Sequence, residues 1–434
     1  MLAIALVIAA AFANATFAHA PSALASGGGG GASLGGPAKH HHHRAQAHRK
    51  HARSGPSDPN PLHGRAMWIW ELGSTSHGNI SAIVARAHQY GLSTVFIKSS
   101  DGADFWSSQF TRSLLHALHA SGLHVCAWQY VYGYKPVGEA DVGAEAVRAG
   151  ANCLVIDAEA QYEGRYVAAQ TYMQRLRSLI GSRFPVALAS FPYVDYHPSF
   201  PYSVFLGPGG AQYNVPQMYW KAIGTTVTAV YAHTYAYNRI YRRRIFPLGQ
   251  LYSNPPESQI ERFRELSRAY GARGVSWWDW QSARPAAWRA MARRVGNVAG
   301  LKPYTALASV GRGAYGDVVV WVQEHLVSAG YAIKISGKFK ARTVDDVMAF
   351  QRKHGLGVDG VVGSQTWAAL LRYRPAHVDW TTDRSLATAQ RLRAAAAVAR
   401  TGRTPTLTLP VPLSASAPAR RDEIPATLGA GRPR

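Results

Sequence analysis

The sequence predicts an α/β chain, a (β/α)8 barrel followed by a small all-α three-helix domain, set between a low-complexity N-terminal linker and a C-terminal tail. Three observations carry this prediction. Short apolar or aromatic runs recur eight times, starting at Met67, Thr94, Val125, Leu154, Val186, Val215, Ile245 and Val275. Their starts lie about 30 residues apart, the length of one strand-plus-helix unit. Amphipathic stretches lie between them (Ile80–Tyr90, Arg165–Ile180, Ile260–Tyr270), and Gly91, Gly122, Gly150, Gly181 and Gly271 stand where helices end. A doubly wound open sheet is disfavoured, because eight regular units come without a Gly-rich dinucleotide loop.

Taken in order, residues 1–20 read as a signal peptide. Leu2–Phe12 is apolar but short for a bilayer, and Ala18-His19-Ala20 is a small-x-small cleavage site. No Lys or Arg precedes Lys39, which leaves an uncleaved anchor open. Residues 21–62 form a Gly/His/basic linker, with a Gly27–Gly31 run and four His between Lys39 and Arg44. The barrel is assigned to 63–300, the helical domain to 308–372 and an Arg/Ala/Pro-rich tail to 376–434, with one helical stretch expected at Leu386–Val398. The net charge of +23 suits anionic polymers such as those of a cell wall. Part of it sits in the linker and tail, and no nucleic-acid-binding motif accompanies it. Cys126 and Cys153, the chain's two cysteines, fall on neighbouring predicted strands. Buried free thiols are the default expectation there, with a bridge conceivable in an exported protein.

Barrel active sites sit at the carboxyl ends of the strands. The fourth run, Leu154–Ile156, ends in Asp157 and Glu159, which strand alternation puts on one face. Glu159 is the candidate general acid and Asp157 its ionised partner. Other strand ends supply candidate substrate contacts: Glu71, Lys98, Asp101, Gln129, Tyr193, Gln217, Tyr219, Trp278 and Trp280, the two tryptophans as an inward sugar platform. Glu163 is read as a cap for the helix starting near Arg165. No cofactor is expected, nor any metal: neither H-E-x-x-H nor paired Cys/His zinc spacing occurs, and no G-x-S-x-G elbow marks a serine hydrolase.

The strand ends Phe96-Ile-Lys-Ser-Ser-Asp-Gly102, the Asp157-Ala-Glu159 pair and the Trp-rich eighth strand resemble family 25 glycoside hydrolases, the lysozyme-type muramidases. The resemblance spans roughly 66–297 and implies Glu159 as acid. It departs at the first strand, where the family ends in Asp and this chain offers Glu71. Asp157-x-Glu159 with Gln217-Met-Tyr219 and a late Trp is also similar to the substrate-assisted family 18 pattern, in which an Asp orients the sugar's 2-acetamido group. The fuller signature of that family is broken at Asn152 and Val155. Retaining, inverting and substrate-assisted chemistry all stay open at this point.

Residues 308–372 resemble the three-helix peptidoglycan-binding domain, through Gly316-Asp-Val-Val-Val-Trp-Val-Gln323, Gly337-Lys-Phe339, Phe350-Gln351, Val358-Asp-Gly-Val-Val-Gly363 and Thr366-Trp367. Val318, Trp321, Val322 and Leu326 make a helical stripe. Thr343 with Asp346 suggests a capping box, and Thr366 a cap for the third helix. The turns at Ser336 and Asp359 repeat each other, with Ser336 and Lys340 replacing the usual residues of the first copy, so that loop is expected to be altered. The two resemblances imply a glycan hydrolase tethered to peptidoglycan; with the signal peptide at residues 1–20 the chain is expected to be secreted and wall-associated, and a monomer is expected. The competing expectation is a non-catalytic wall-binding protein with a degenerate barrel.

Overall fold

The computed structural model describes residues 59–380. The predicted signal peptide, most of the linker and the tail beyond residue 380, including Leu386–Val398, lie outside the described residues. Among the described residues no helix is long and apolar enough to cross a membrane.

The strands are β1 (Gly64–Ile69), β2 (Thr94–Asp101), β3 (Asp104–Phe105), β4 (His124–Val131), β5 (Cys153–Ala158), β6 (Val186–Ser190), β7 (Tyr213–Pro216), β8 (Arg244–Ile245), β9 (Leu248–Gln250) and β10 (Gly274–Trp278). All pair in parallel in one curled sheet except β3, which folds back antiparallel on β2. β8 and β9 are two halves of one strand, parted at Phe246-Pro247 because Pro has no N–H for the ladder. The first half pairs with β7 and the second with β10. Met218 N–H donates to Leu248 O (2.8 Å), which brings β7 and β9 together and closes the curl. The predicted eight-unit barrel is thus observed.

Its helices are α1 (Ile80–Gln89), α2 (Arg112–Ala120), α3 (Pro136–Ala149), α4 (Tyr166–Ile180), α5 (Tyr202–Phe205), α6 (Trp220–Ile223), α7 (Val227–Asn238), α8 (Glu257–Ala269) and α9 (Pro285–Ala292). The unit after β6 keeps only the four-residue α5, since Pro198, Pro201 and Pro208 break the stretch. α8 begins after the Pro pair, with Pro256 in the cap position. Along β5, Leu154, Ile156 and Ala158 join the helix-facing core, whereas Cys153 and Val155 join the barrel interior. The interior fill alternates bulk, with Trp68, Phe96 and Trp128 beside Ala187 and Ala189.

Cys126 and Cys153 form a disulfide, which corrects the expectation of free thiols. The reason is register: the two residues are direct partners on β4 and β5, both side chains point into the barrel, and their Cα atoms lie 4.6 Å apart.

The C-terminal module comprises α10 (Asp317–Ser328), α11 (Ala341–Lys353) and α12 (Ser364–Leu370). Thr343 and Thr366 do not cap α11 and α12; they lie inside them. Each instead accepts from a buried glutamine that braces a turn. Gln323 Nε2 donates to Thr343 Oγ1 and Lys338 O, and its Oε1 accepts from Ser336 N and Gly337 N. Gln351 repeats the pattern with Thr366, Val361 O, Asp359 N and Gly360 N. The first loop, expected to be altered by Ser336, therefore keeps the same bonding as its duplicate.

The module packs onto the barrel through a buried carboxylate rather than hanging from it as a loose tether. Asp317 Oδ1 accepts from Tyr166 OH (3.0 Å) and Ser203 Oγ (2.6 Å), and Oδ2 from Ser203 N and Tyr241 OH (2.8 Å each). Burial pushes its pKa up to about 6, and these donors hold it from rising further. Gly316 adopts φ +100°, and a Cβ there would meet Pro198 O at 2.3 Å, so only glycine allows this approach. Trp321 Nε1 donates to Ile240 O (2.9 Å), and Trp380 packs at a tilt against Tyr166 at 4.4 Å. Replacing Asp317 by Ala strands four donors; we expect about 3 kcal/mol lost from the stability of the full chain in urea titration. An unchanged unfolding curve would show that the junction does not depend on this carboxylate.

Candidate active site

Asp157 ends the inward face of β5, and Glu159 follows two residues later on the same side. Both are buried, 5 % and 7 % exposed. The side-chain amide of Gln217, just after β7, joins them: Nε2 donates to Asp157 Oδ1 at 2.9 Å and to Glu159 Oε1 at 3.0 Å. Two oxygens so close to one nitrogen are at most about 6 Å apart, below the ≈ 6.5–9.5 Å spacing of inverting pairs.

Burial raises both carboxyls, and for Asp157 the neighbouring Glu159 adds to the rise while Lys98 and Gln217 oppose it. Both carboxyls therefore titrate above their ordinary range, and they do so as an interacting pair. The charge on the pair in turn disfavours ionisation of neighbouring phenols. Tyr130 and Tyr219 are raised first by burial and then by both acids, and Tyr252 by burial and then by Glu159.

Half-buried aromatics share the mouth: Tyr130 and Tyr252 lie beside the acids, and Trp70 and Trp106 lie near Lys98. Trp278 and Trp128 meet edge to face at 5.3 Å, with Trp68 beneath both. Lys98 is buried, pairs with Asp101, and lies over Trp106 (4.5 Å) and Trp128 (5.0 Å). Asp101 also accepts from Tyr132 OH (2.7 Å).

The structure thus gathers Asp157, Glu159, Gln217, Tyr219, Lys98, Asp101 and Trp278 at the mouth. Four predicted contacts lie elsewhere. Gln129 points into the helix layer, where it donates to Gly102 O and Glu139 O and accepts from Tyr172 OH. Trp280 meets Trp288 of α9 edge to face at 4.8 Å, because β10 ends at Trp278 and strand alternation no longer governs it. Tyr193 stacks on His233 of α7 at 3.8 Å, and burial pushes it up to about 12. Glu71 turns to Ser74 Oγ (3.0 Å). Glu163 does not cap α4; it meets His197 Nδ1 at 2.8 Å. Trp128 and Tyr252 carried no expectation from the sequence, while Tyr130 at a strand end and Asp279 between Trp278 and Trp280 were each set behind a neighbour. Parity was the available signal for Trp128 and Tyr130: Cys126, Trp128 and Tyr130 share a face that Gln129 does not. Asp279 is buried, raised by that burial, and accepts from Ser282 N (3.2 Å).

A separate cavity of about 230 Å3 lies at the domain junction, lined by Gln170, Arg177, Glu324 and Trp380 among others. Among its described lining residues Glu324 is the one carboxyl.

Residues 315–370 match the family described as "Putative peptidoglycan binding domain". The C-terminal module belongs to that family. Its relatives among solved structures include the Burkholderia AP3 phage endolysin, at 38% identity over 15% of this chain and 25% of that one (TM-score 0.15). Another is the SleB N-terminal domain, at 37% identity over 15% of this chain and 89% of that one (TM-score 0.15). The chain thus spans about a quarter of the endolysin it matches. The chitinase from Chromobacterium violaceum is similar over 54% of this chain and 100% of its own, at 11% identity and a TM-score of 0.39. No curated protein matches the chain.

Gln217 lowers both carboxyls, so Gln217→Met should raise the titration of the pair, read from side-chain carboxyl 13C shifts. Unmoved titrations would show that the amide does not couple the two acids.

Proposed function

We propose that this chain is an exported cell-wall hydrolase that cleaves β-1,4 linkages of an amino-sugar glycan and is held on peptidoglycan by its C-terminal module. The observation that carries the reading is the buried acid pair sharing one amide donor at an aromatic-lined barrel mouth. Carboxyls move protons, and aromatic faces take sugar rings. Basic segments outside the barrel add salt-sensitive attraction to anionic wall polymers.

The geometry favours one mechanism. An acid and a protein nucleophile must flank the scissile bond. Asp157 and Glu159 lie on one side, bridged by Gln217, so the nucleophile is the substrate's own 2-acetamido oxygen. Glu159 gives its proton to the leaving oxygen as the C1–O bond breaks. The acetamido oxygen bonds to C1, and Asp157 accepts the acetamide N–H and stabilises the cyclic oxazolinium. Glu159, now ionised, takes a proton from the water that opens the ring and is reset. Two displacements at C1 retain its configuration. Tyr219 offers a hydroxyl donor beside the pair, kept protonated by its raised pKa, whereas the Tyr130 hydroxyl donates to Gln161 Oε1 at 2.9 Å.

The second reading, a wall binder without turnover, draws on Glu71, which faces Ser74 and leaves β1 without an acid at the centre. Turbidity loss and muropeptide release from purified walls separate the two. Glu159→Gln should cost about 10³-fold in rate while wall binding persists. Equal release by both proteins would remove Glu159 from the chemistry, and no release by either would favour the binder. The acid works only when protonated, so lysis should fall as pH rises through its raised pKa. That alkaline limb lies above the 4.5 of an ordinary glutamate; a limb at or below it would contradict the burial argument.

A further inference from the structure

An aromatic track leads from the acids to solvent. Trp128, Tyr130, Tyr132 and Tyr134 are spaced two apart, running off the inward face of β4. Tyr130 lies beside both acids, Tyr132 meets it at 5.0 Å, and Tyr134 lies nearly parallel to Tyr132 at 6.1 Å. Tyr134 is 65% exposed, the most open of the large exposed apolar side chains among the described residues. Its loop is fixed from below, since buried Glu139 accepts from Gly133 N (2.9 Å) and Lys135 N (3.3 Å). Arg165, from the segment that follows the acid strand, lays its guanidinium over the Tyr134 ring at 4.3 Å. The guanidinium donates through Nη1 to Gly133 O (3.1 Å) and makes no other hydrogen bond or ion pair among the described residues. A planar cation, stacked on an aromatic ring and held at one edge, presents its other edge as a fork suited to a carboxylate.

Resting on the proposed amino-sugar chemistry, we propose that Arg165 is a specificity-determining residue that binds the 3-O-lactyl carboxylate of a muramic acid unit lying along the Tyr130–Tyr134 track. In intact peptidoglycan that carboxyl is tied up as an amide to the stem peptide. A free one is exposed only after an amidase-type hydrolysis has removed the peptide. The site therefore selects glycan strands already stripped of peptide over substituted strands and over neutral glycans such as chitin. Hydrolysis of the muramyl–peptide amide is the class of reaction that supplies its preferred substrate.

The test uses the full chain carrying Glu159→Gln, so that nothing is cleaved, and calorimetry with three forms of one muramyl tetrasaccharide. These are the free lactyl acid, its N-methylamide, and its L-alanyl amide. The free acid should bind about tenfold tighter than the methylamide, the size of one charge-assisted pair. In Arg165→Gln the two should bind alike, and Arg165→Lys should recover part of the difference. A structural role for Arg165 would weaken all three ligands together and leave the preference intact, which overturns the assignment. Equal binding of acid and methylamide with Arg165 present overturns it as well. An alanyl amide as tight as the free acid would hand the guanidinium to the stem peptide's carboxylate, against the proposal. Failure of hydrolysis in the protein with Glu159 intact, with the acid preference retained, would sink the enzyme reading and leave this inference standing.

Discussion

Two carboxyl groups withdrawn from water on one strand face, with a single amide donor between them, set the conditions for the rest of the barrel mouth. Charging either one in that setting is costly, and charging both adds their repulsion. The surrounding residues answer that cost in particular ways. Gln217 donates to each acid, Lys98 offsets the charge on Asp157, and the phenols nearby stay protonated. The burial of Glu159 is what raises it above the ordinary range of a glutamate.

Much of this was legible because a strand has a period of two. That period put Asp157 and Glu159 together, and the recurrence of apolar runs made their strand the fourth of eight units. The same rule, applied to β4, separates Tyr130 from Gln129, but polarity drew attention to the amide. Gln129 is used where an amide is worth most, satisfying carbonyls inside the helix layer, and Gly143 makes room for it: a Cβ there would sit 2.7 Å from Gln129 Oε1. Trp280 escaped because strand parity lapses where β10 ends. The disulfide depended on register, which the sequence does not print; neighbouring strands were foreseeable, direct pairing of Cys126 with Cys153 was not. Thr343 and Thr366 looked like caps, yet their hydroxyls serve Gln323 and Gln351, long-range partners that no local pattern reveals.

The C-terminal module adds a second constraint. A flexible tether would act only by raising local substrate concentration. Here Asp317, at the first turn of α10, is bonded to Tyr166 on α4, Ser203 on α5 and Tyr241 after α7. The wall-binding module and the acid pair are therefore held in one relative orientation. Under the proposed function, a glycan strand bound by the module would meet the barrel at a fixed angle, so that geometry as well as proximity would decide which bonds reach Glu159.

The central claim is that Asp157 and Glu159 act from one side of the sugar, with the substrate's own acetamide as nucleophile. Proton NMR of the reducing end released in the first moments of wall-glycan cleavage tests it directly. The account predicts that the new anomeric centre keeps the β configuration of the broken bond and only later mutarotates. A first-formed α anomer would mean that water attacked from the opposite face, and would contradict the claim.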